Sequence, residues 1–154
     1  MQRVELAHSG IKADIDLWDN NRANVIAYIG SGGRKGTLLF ACHLDVVPAE
    51  GKWQYPPFEA VENAGRIYGR GSTDMKAGIA SIVTAIRRVV DSRAKLQGDI
   101  IFLGCAGEET DSAGAERFVR NYNLPKPAGV VIPEPTDFSI VTAQKGHGFV
   151  LKSK

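Results

Sequence analysis

Thr37-Leu-Leu-Phe-Ala-Cys-His-Leu-Asp-Val-Val47 is the stretch whose reading decides the fold. It is apolar on both faces, as expected of an inner strand covered on each side. Gly98-Asp-Ile-Ile-Phe-Leu-Gly-Cys-Ala106 reads as another buried strand, and Ala128-Gly-Val-Val-Ile-Pro133 as a further one. Between the first two, Asp74 to about Leu96 carries apolar residues at 75, 79, 82, 83, 86, 89 and 90. That spacing predicts a helix with Arg87, Arg88, Asp91 and Arg93 in solvent. Ser112 to Tyr122 predicts a shorter helix with Phe118 and Val119 facing in.

Upstream, Ile11 to Asp19 alternates (Ile11, Ala13, Ile15, Leu17), the mark of a half-buried strand. Asn24 to Ile29 is a second candidate, and Gly30 to Gly36 a turn. Phe58 to Tyr68 reads as a hairpin with Asn63-Ala-Gly65 at its tip. Phe138 to Ala143 and Gly148 to Leu151 read as further strands. This alternation predicts an α/β fold: a mixed, mostly parallel sheet flanked by helices.

Length and charge set the bounds. The 154 residues suit one domain. A chain of this size buries roughly 70% of its extended surface. A net charge of +2, from 19 basic and 17 acidic side chains, is too balanced to argue for nucleic acid or a membrane surface. No apolar run approaches the roughly 20 residues of a membrane span. Cys42 and Cys105 sit inside apolar runs and read as buried free thiols of a reducing compartment. Met-Gln-Arg-Val-Glu-Leu lacks the apolar core of a signal peptide, so the expected location is cytoplasmic.

The chemistry lies at the ends of these runs. His43 and Asp45 are two apart on a strand and leave the same face. A ligand histidine needs its second ring nitrogen held, and a carboxylate does this well. Asp74 follows Gly69-Arg-Gly71, where an aspartate most simply caps a helix. Its two oxygens leave room for a second role. Glu108 and Glu109 sit together at the lip of a core strand, where they repel and lose solvation unless a cation answers them. Glu134 stands between Pro133 and Pro135, which fix the backbone around it. The plainer alternatives are a core histidine, a helix cap and a loop acid. Against coincidence stands their common position, because ligands of open α/β sheets gather at the carboxyl ends of strands. Carboxylates with one imidazole suit Zn²⁺ or its first-row neighbours.

In combination, His43-Leu-Asp-Val-Val-Pro48, Gly69-Arg-Gly-Ser-Thr-Asp-Met-Lys76, Gly107-Glu-Glu-Thr110 and Glu134-Pro-Thr136 resemble the co-catalytic zinc amidohydrolases and exopeptidases. That family includes acetylornithine deacetylase, succinyl-diaminopimelate desuccinylase, aminoacylase and glutamate carboxypeptidase. The resemblance runs from about residue 24 to the end. It implies that His43 and Glu134 hold one metal, that Glu109 holds the other, and that Asp74 bridges both. Asp45 would orient His43. Glu108 would be the general base, taking a proton from a water shared by two Zn²⁺ ions, with Co²⁺ able to substitute. The substrate would be an N-acyl amino acid or small peptide, and the full-length protein a homodimer.

The chain also departs from the family. A further histidine near the family's C-terminus completes its second metal site, and a lid or dimerisation domain is inserted before it. Residues 1–143 are therefore expected to form the first part of a catalytic domain, and 144–154 the start of the lid. The second site would be incomplete here, and the fragment alone inactive. The alternative function is a non-catalytic remnant holding at most one metal. His8 and His147 are the other histidines, and His147 reads as a turn residue in Lys145-Gly-His-Gly148. Three other signals carry less. Gly30-Ser-Gly-Gly-Arg-Lys35 falls one glycine short of a dinucleotide fingerprint and precedes a strand. Trp53, Tyr55, Pro56, Pro57 and Phe58 read as a substrate wall or an aromatic-proline loop packed on the rim. Arg87-Arg88 reads as a solvated helix face.

Overall fold

The apolar runs fold as strands of one sheet in the computed structural model, which describes residues 11–19, 21–30, 35–122 and 126–143. In chain order the elements are β1 (Ala13–Trp18), β2 (Arg22–Ile29), β3 (Thr37–His43), β4 (Val61–Asn63) and β5 (Arg66–Tyr68). Then come α1 (Gly78–Asp91), β6 (Asp99–Cys105), α2 (Ala113–Asn121) and β7 (Gly129–Val131). The main sheet has the order β1-β2-β6-β3-β7, and β4-β5 form a separate hairpin. β2 pairs antiparallel with β1 and β6, whereas β3 pairs parallel with β6 and β7. The sheet is thus mixed, and its parallel half surrounds β3.

Side-chain alternation sorts two cores. Val25, Ala27, Cys42 and Phe102 face α1, where Ile79, Ile82 and Ile86 meet them at helical spacing. Ile26, Ile101, Leu103 and Cys105 point the other way, onto Phe118 of α2. Burying each such side chain stabilises the fold by roughly 1.5–3 kcal/mol. The Arg117 side chain forks onto Asp16 at 2.8 and 2.7 Å, tying α2 to β1.

Several expectations are corrected. The helix expected from Asp74 starts at Gly78 and ends at Asp91, short of Leu96. Phe138 to Ala143 is not a strand; Phe138, Ile140 and Val141 are exposed and pair with nothing in the described sheets. β3 stops at His43, so Asp45 lies beyond the strand. β3 has partners on both sides, as an inner strand should, and the edges of the described sheet are β1 and the three-residue β7. Gly148 to Leu151, His8, His147, 144–154 and most of the Gly30 to Gly36 turn lie outside the described residues.

Candidate metal centre

Parallel pairing sends the loops after β3, β6 and β7 to one edge of the sheet. His43 stands opposite Cys105, and the Leu44 amide continues the ladder by donating to the Cys105 carbonyl at 2.7 Å. The Asp45 loop and the Glu108-Glu109 loop therefore start side by side, and Glu134 follows β7 at the same edge.

Asp74 arrives by another route. Residues Ser72–Ala77 form an irregular turn before α1, with non-helical dihedrals at Asp74 (φ −104°, ψ 103°) and Met75 (φ −123°, ψ 30°). The Met75 side chain is fully buried, and its sulfur accepts the His43 amide at 2.9 Å. That anchor fastens the turn against the end of β3. Asp74 Oδ1 then lies 3.0 Å from His43 Nε2. The simple capping reading is corrected: the turn has no side-chain cap bond, and the Lys76 amide donates to the Gly71 carbonyl instead. Gly78, the first residue of α1, packs on the segment bearing Glu134. A Cβ there would sit 2.6 Å from the Pro133 carbonyl oxygen.

His43 is buried, with its side chain 3% exposed. Its Nδ1 faces the Asp45 carbonyl oxygen at 3.0 Å, while the Asp45 carboxylate stands farther off, at 3.8 Å. The ring is thus held by the backbone of Asp45 more than by its side chain. When Nδ1 donates to that carbonyl, Nε2 presents its lone pair to the cluster, the tautomer a metal requires. The Asp45 carboxylate does different work: its oxygens accept the Glu108 and Glu109 amides at 3.2 and 3.1 Å.

The ligand atoms of His43, Asp74 and Glu109 all lie within 4.8 Å of one another. Glu134 Oε1 is 3.8 Å from His43 Nε2. Charge makes this cluster uneasy without a cation. Burial pulls the His43 imidazole pKa down, but the hydrogen bond to Asp74, the Asp45 carbonyl and the charges of Glu134 and Glu108 together raise it above its usual value. Burial likewise pushes the Glu134 carboxyl up; His43 opposes this, while Asp74 and Glu108 add to it. Acidic neighbours push both groups upward, beside burial as the larger cause at Glu134, and so crowd negative charge around one imidazole. A divalent cation would relieve it, and oxygen and imidazole donors fit Zn²⁺ or a similar ion. Beside the cluster, a cleft of about 170 Å³ opens between Ala41, His43, Cys105, Glu108, Ile132 and Glu134. Burial pushes the thiols up as well, to about 12 for Cys42 and about 11 for Cys105, so neither is a nucleophile near neutral pH.

The Trp53 indole donates to the Glu50 carbonyl at 3.1 Å, and the Arg70 guanidinium lies 4.8 Å from its ring. Tyr55 packs on Tyr68 of β5 at 4.7 Å. Trp53 and Tyr55 are thus packed on neighbours, while Phe58 is exposed. Arg87 and Arg88 lie on the exposed face of α1. Sequence reading missed Arg22, Asn24 and Asp111, which brace the acidic loop. Arg22 Nη1 meets Asp111 Oδ2 at 2.7 Å, and the Asn24 amide touches both ends of the loop. The available signal was a lone amide opening the apolar strand Val25-Ile-Ala27.

Known proteins resemble this chain in sequence and fold. The model of peptidase family M20/M25/M40 matches residues 39–145. A probable succinyl-diaminopimelate desuccinylase of Staphylococcus aureus is 39% identical over 138 residues, which cover 88% of this chain and 34% of that protein. Among solved structures, the M20 family metallo-carboxypeptidase Sso-CP2 from Sulfolobus solfataricus superposes with a TM-score of 0.74 at 28% identity, covering 85% of this chain and 30% of that one. Human carnosine dipeptidase 1 follows with a TM-score of 0.68 at 25% identity, covering 85% and 31%. The chain spans about a third of the length of the relatives it matches.

Proposed function

Because the chain belongs to peptidase family M20/M25/M40, we propose that its protein hydrolyses amide bonds in N-acyl amino acids or small peptides, as a deacylase or carboxypeptidase. The observation that carries this reading is the convergence of His43, Asp74 and Glu109 within ligand distance, with Glu134 beside them. His43 and Glu134 would hold one Zn²⁺, Glu109 the other, and Asp74 both; Co²⁺ could replace either. Such metals, when bound, polarise an amide carbonyl and acidify a water. Glu108 is the base. Its carboxylate is exposed at the mouth of the cleft, and its backbone is fixed by Asp45. It takes the water's proton and returns it to the leaving amine. Asp45 holds the His43 ring by its carbonyl and the acidic loop by its carboxylate.

Residues 1–143 would be the first part of the catalytic domain and 144–154 the opening of a lid, in a cytoplasmic homodimer. No helix among the described residues is long and apolar enough to cross a membrane. A second reading, a module that holds at most one metal and turns nothing over, is favoured by one observation. His43 is the single histidine among the described residues.

Metal content by mass spectrometry after dialysis, with an assay of N-acetyl and N-succinyl amino acids and dipeptides in Zn²⁺ or Co²⁺, tests both readings. The 154 residues are expected to hold nearer one metal than two and to show negligible turnover. Two firmly held metals with turnover would overturn the incomplete second site. No metal at all would overturn the first reading and leave the second.

A further inference from the structure

Glu108 and Glu109 sit on a loop between β6 and α2 whose two stems meet at one buried side chain. Asn24, near the start of β2, is completely buried. Its Nδ2 donates to the Gly114 carbonyl at 2.8 Å, and its Oδ1 accepts the Ala106 amide at 3.2 Å. The Gly114 amide in turn donates to the Ala106 carbonyl at 3.0 Å. The three bonds close a ring: Asn24 to Gly114, Gly114 to Ala106, Ala106 to Asn24. One partner is a donor and the other an acceptor, so the amide can face only one way.

The ring leaves no room for a side chain at 114. A Cβ there would fall on the Ala106 carbonyl oxygen and lie 2.6 Å from Asn24 Oδ1. Two further contacts brace the loop from the same edge. Arg22, two residues earlier on β2, pairs with Asp111, and Asp45 takes the amides of Glu108 and Glu109. β2 runs antiparallel to β6, which brings its first residues, rather than its last, to the site edge.

We propose that Asn24 is a positioning residue for the acidic pair: it locks the stems at Ala106 and Gly114 so that Glu109 meets His43 and Asp74, and Glu108 faces the cleft. The inference rests on the metal-centre reading. A purely structural asparagine would support the strand and leave the loop's ligand indifferent to it.

Zn²⁺ affinity, measured by chelator competition on the 154-residue chain, separates the two roles. Asn24→Ala should weaken Zn²⁺ binding by about 10–100-fold, the usual effect of removing a partner behind a ligand. Ile86→Ala, destabilised in the α1 core far from the loop, should keep the wild-type affinity while folded. Equal affinity in Asn24→Ala and wild type would overturn the proposal. Amide exchange in the unaltered chain tests it without any variant. If the ring positions a ligand, Zn²⁺ must tighten the ring by reciprocal linkage. Saturating Zn²⁺ should then slow exchange at the Ala106 and Gly114 amides. Unchanged rates at both would overturn it, and this measurement decides if Asn24→Ala does not fold. A wild-type chain that binds no Zn²⁺ would instead bring down the metal-centre reading and this inference together.

Discussion

The two halves of the sheet divide the work unequally. In the parallel half, β6-β3-β7, every strand ends at the same edge, and the loops that follow carry Asp45, Glu108, Glu109 and Glu134. In the antiparallel half, β1-β2-β6, strand directions alternate, so the end of β1 and the start of β2 reach that edge together, and of the two β2 bears on the acidic loop. It supplies Arg22 and Asn24, which hold a loop but offer no ligand. Strand direction, more than composition, decides which half gathers the acidic loops. Parallel pairing collects successive loops side by side, and antiparallel pairing separates them.

That contrast breaks first, if it breaks, at the ligands. His43→Ala or Asp74→Ala should lower Zn²⁺ affinity by more than the roughly 100-fold that losing an outer partner costs, read by chelator competition. Near-wild-type binding would show that the parallel edge is not the site. Glu108→Gln, in a form of the protein that turns over substrate, should cut the rate by about 10²–10⁴-fold. Metal content by mass spectrometry should stay the same; metal loss would make Glu108 a ligand. Ile86→Ala, beneath the parallel half, should cost about 2–5 kcal/mol in denaturant unfolding, from lost burial and the cavity left behind. A smaller cost would mean that α1 closes over the gap. The least effect belongs to the antiparallel half. Leu17 on β1 is 67% exposed, and Leu17→Ser should change stability by no more than about 0.5 kcal/mol. A larger loss would show that β1 is covered in solution.

Long-period signals were legible in the sequence, and local geometry was not. β3 and β6 announce themselves as apolar runs, and α1 by Ile79, Ile82 and Ile86. Asp45, Glu108, Glu109 and Glu134 stood out because each follows such a run. The start of α1 was misread because Met75 satisfies the helical period while its side chain anchors a non-helical turn. Periodicity reports burial, not dihedral angles. Phe138 to Ala143 misled in the opposite sense: β-prone residues make a strand only where a neighbour pairs with them, and the described sheets offer none. Asp45 was assigned to His43 through its carboxylate. The carboxylate goes instead to amides about sixty residues away in the chain, a partnership that sequence spacing cannot reveal.

Gly78 has no side chain to offer a metal, yet it stands where the helix behind Asp74 meets the segment that carries Glu134. In a saturation scan, position 78 should tolerate little beyond glycine, with a profile resembling that of a ligand. Among diverging descendants of this chain, a larger residue at 78 should survive only alongside a compensating change near Pro133. The pair should therefore co-vary. The record of that constraint would be written in ancestry and not in chemistry.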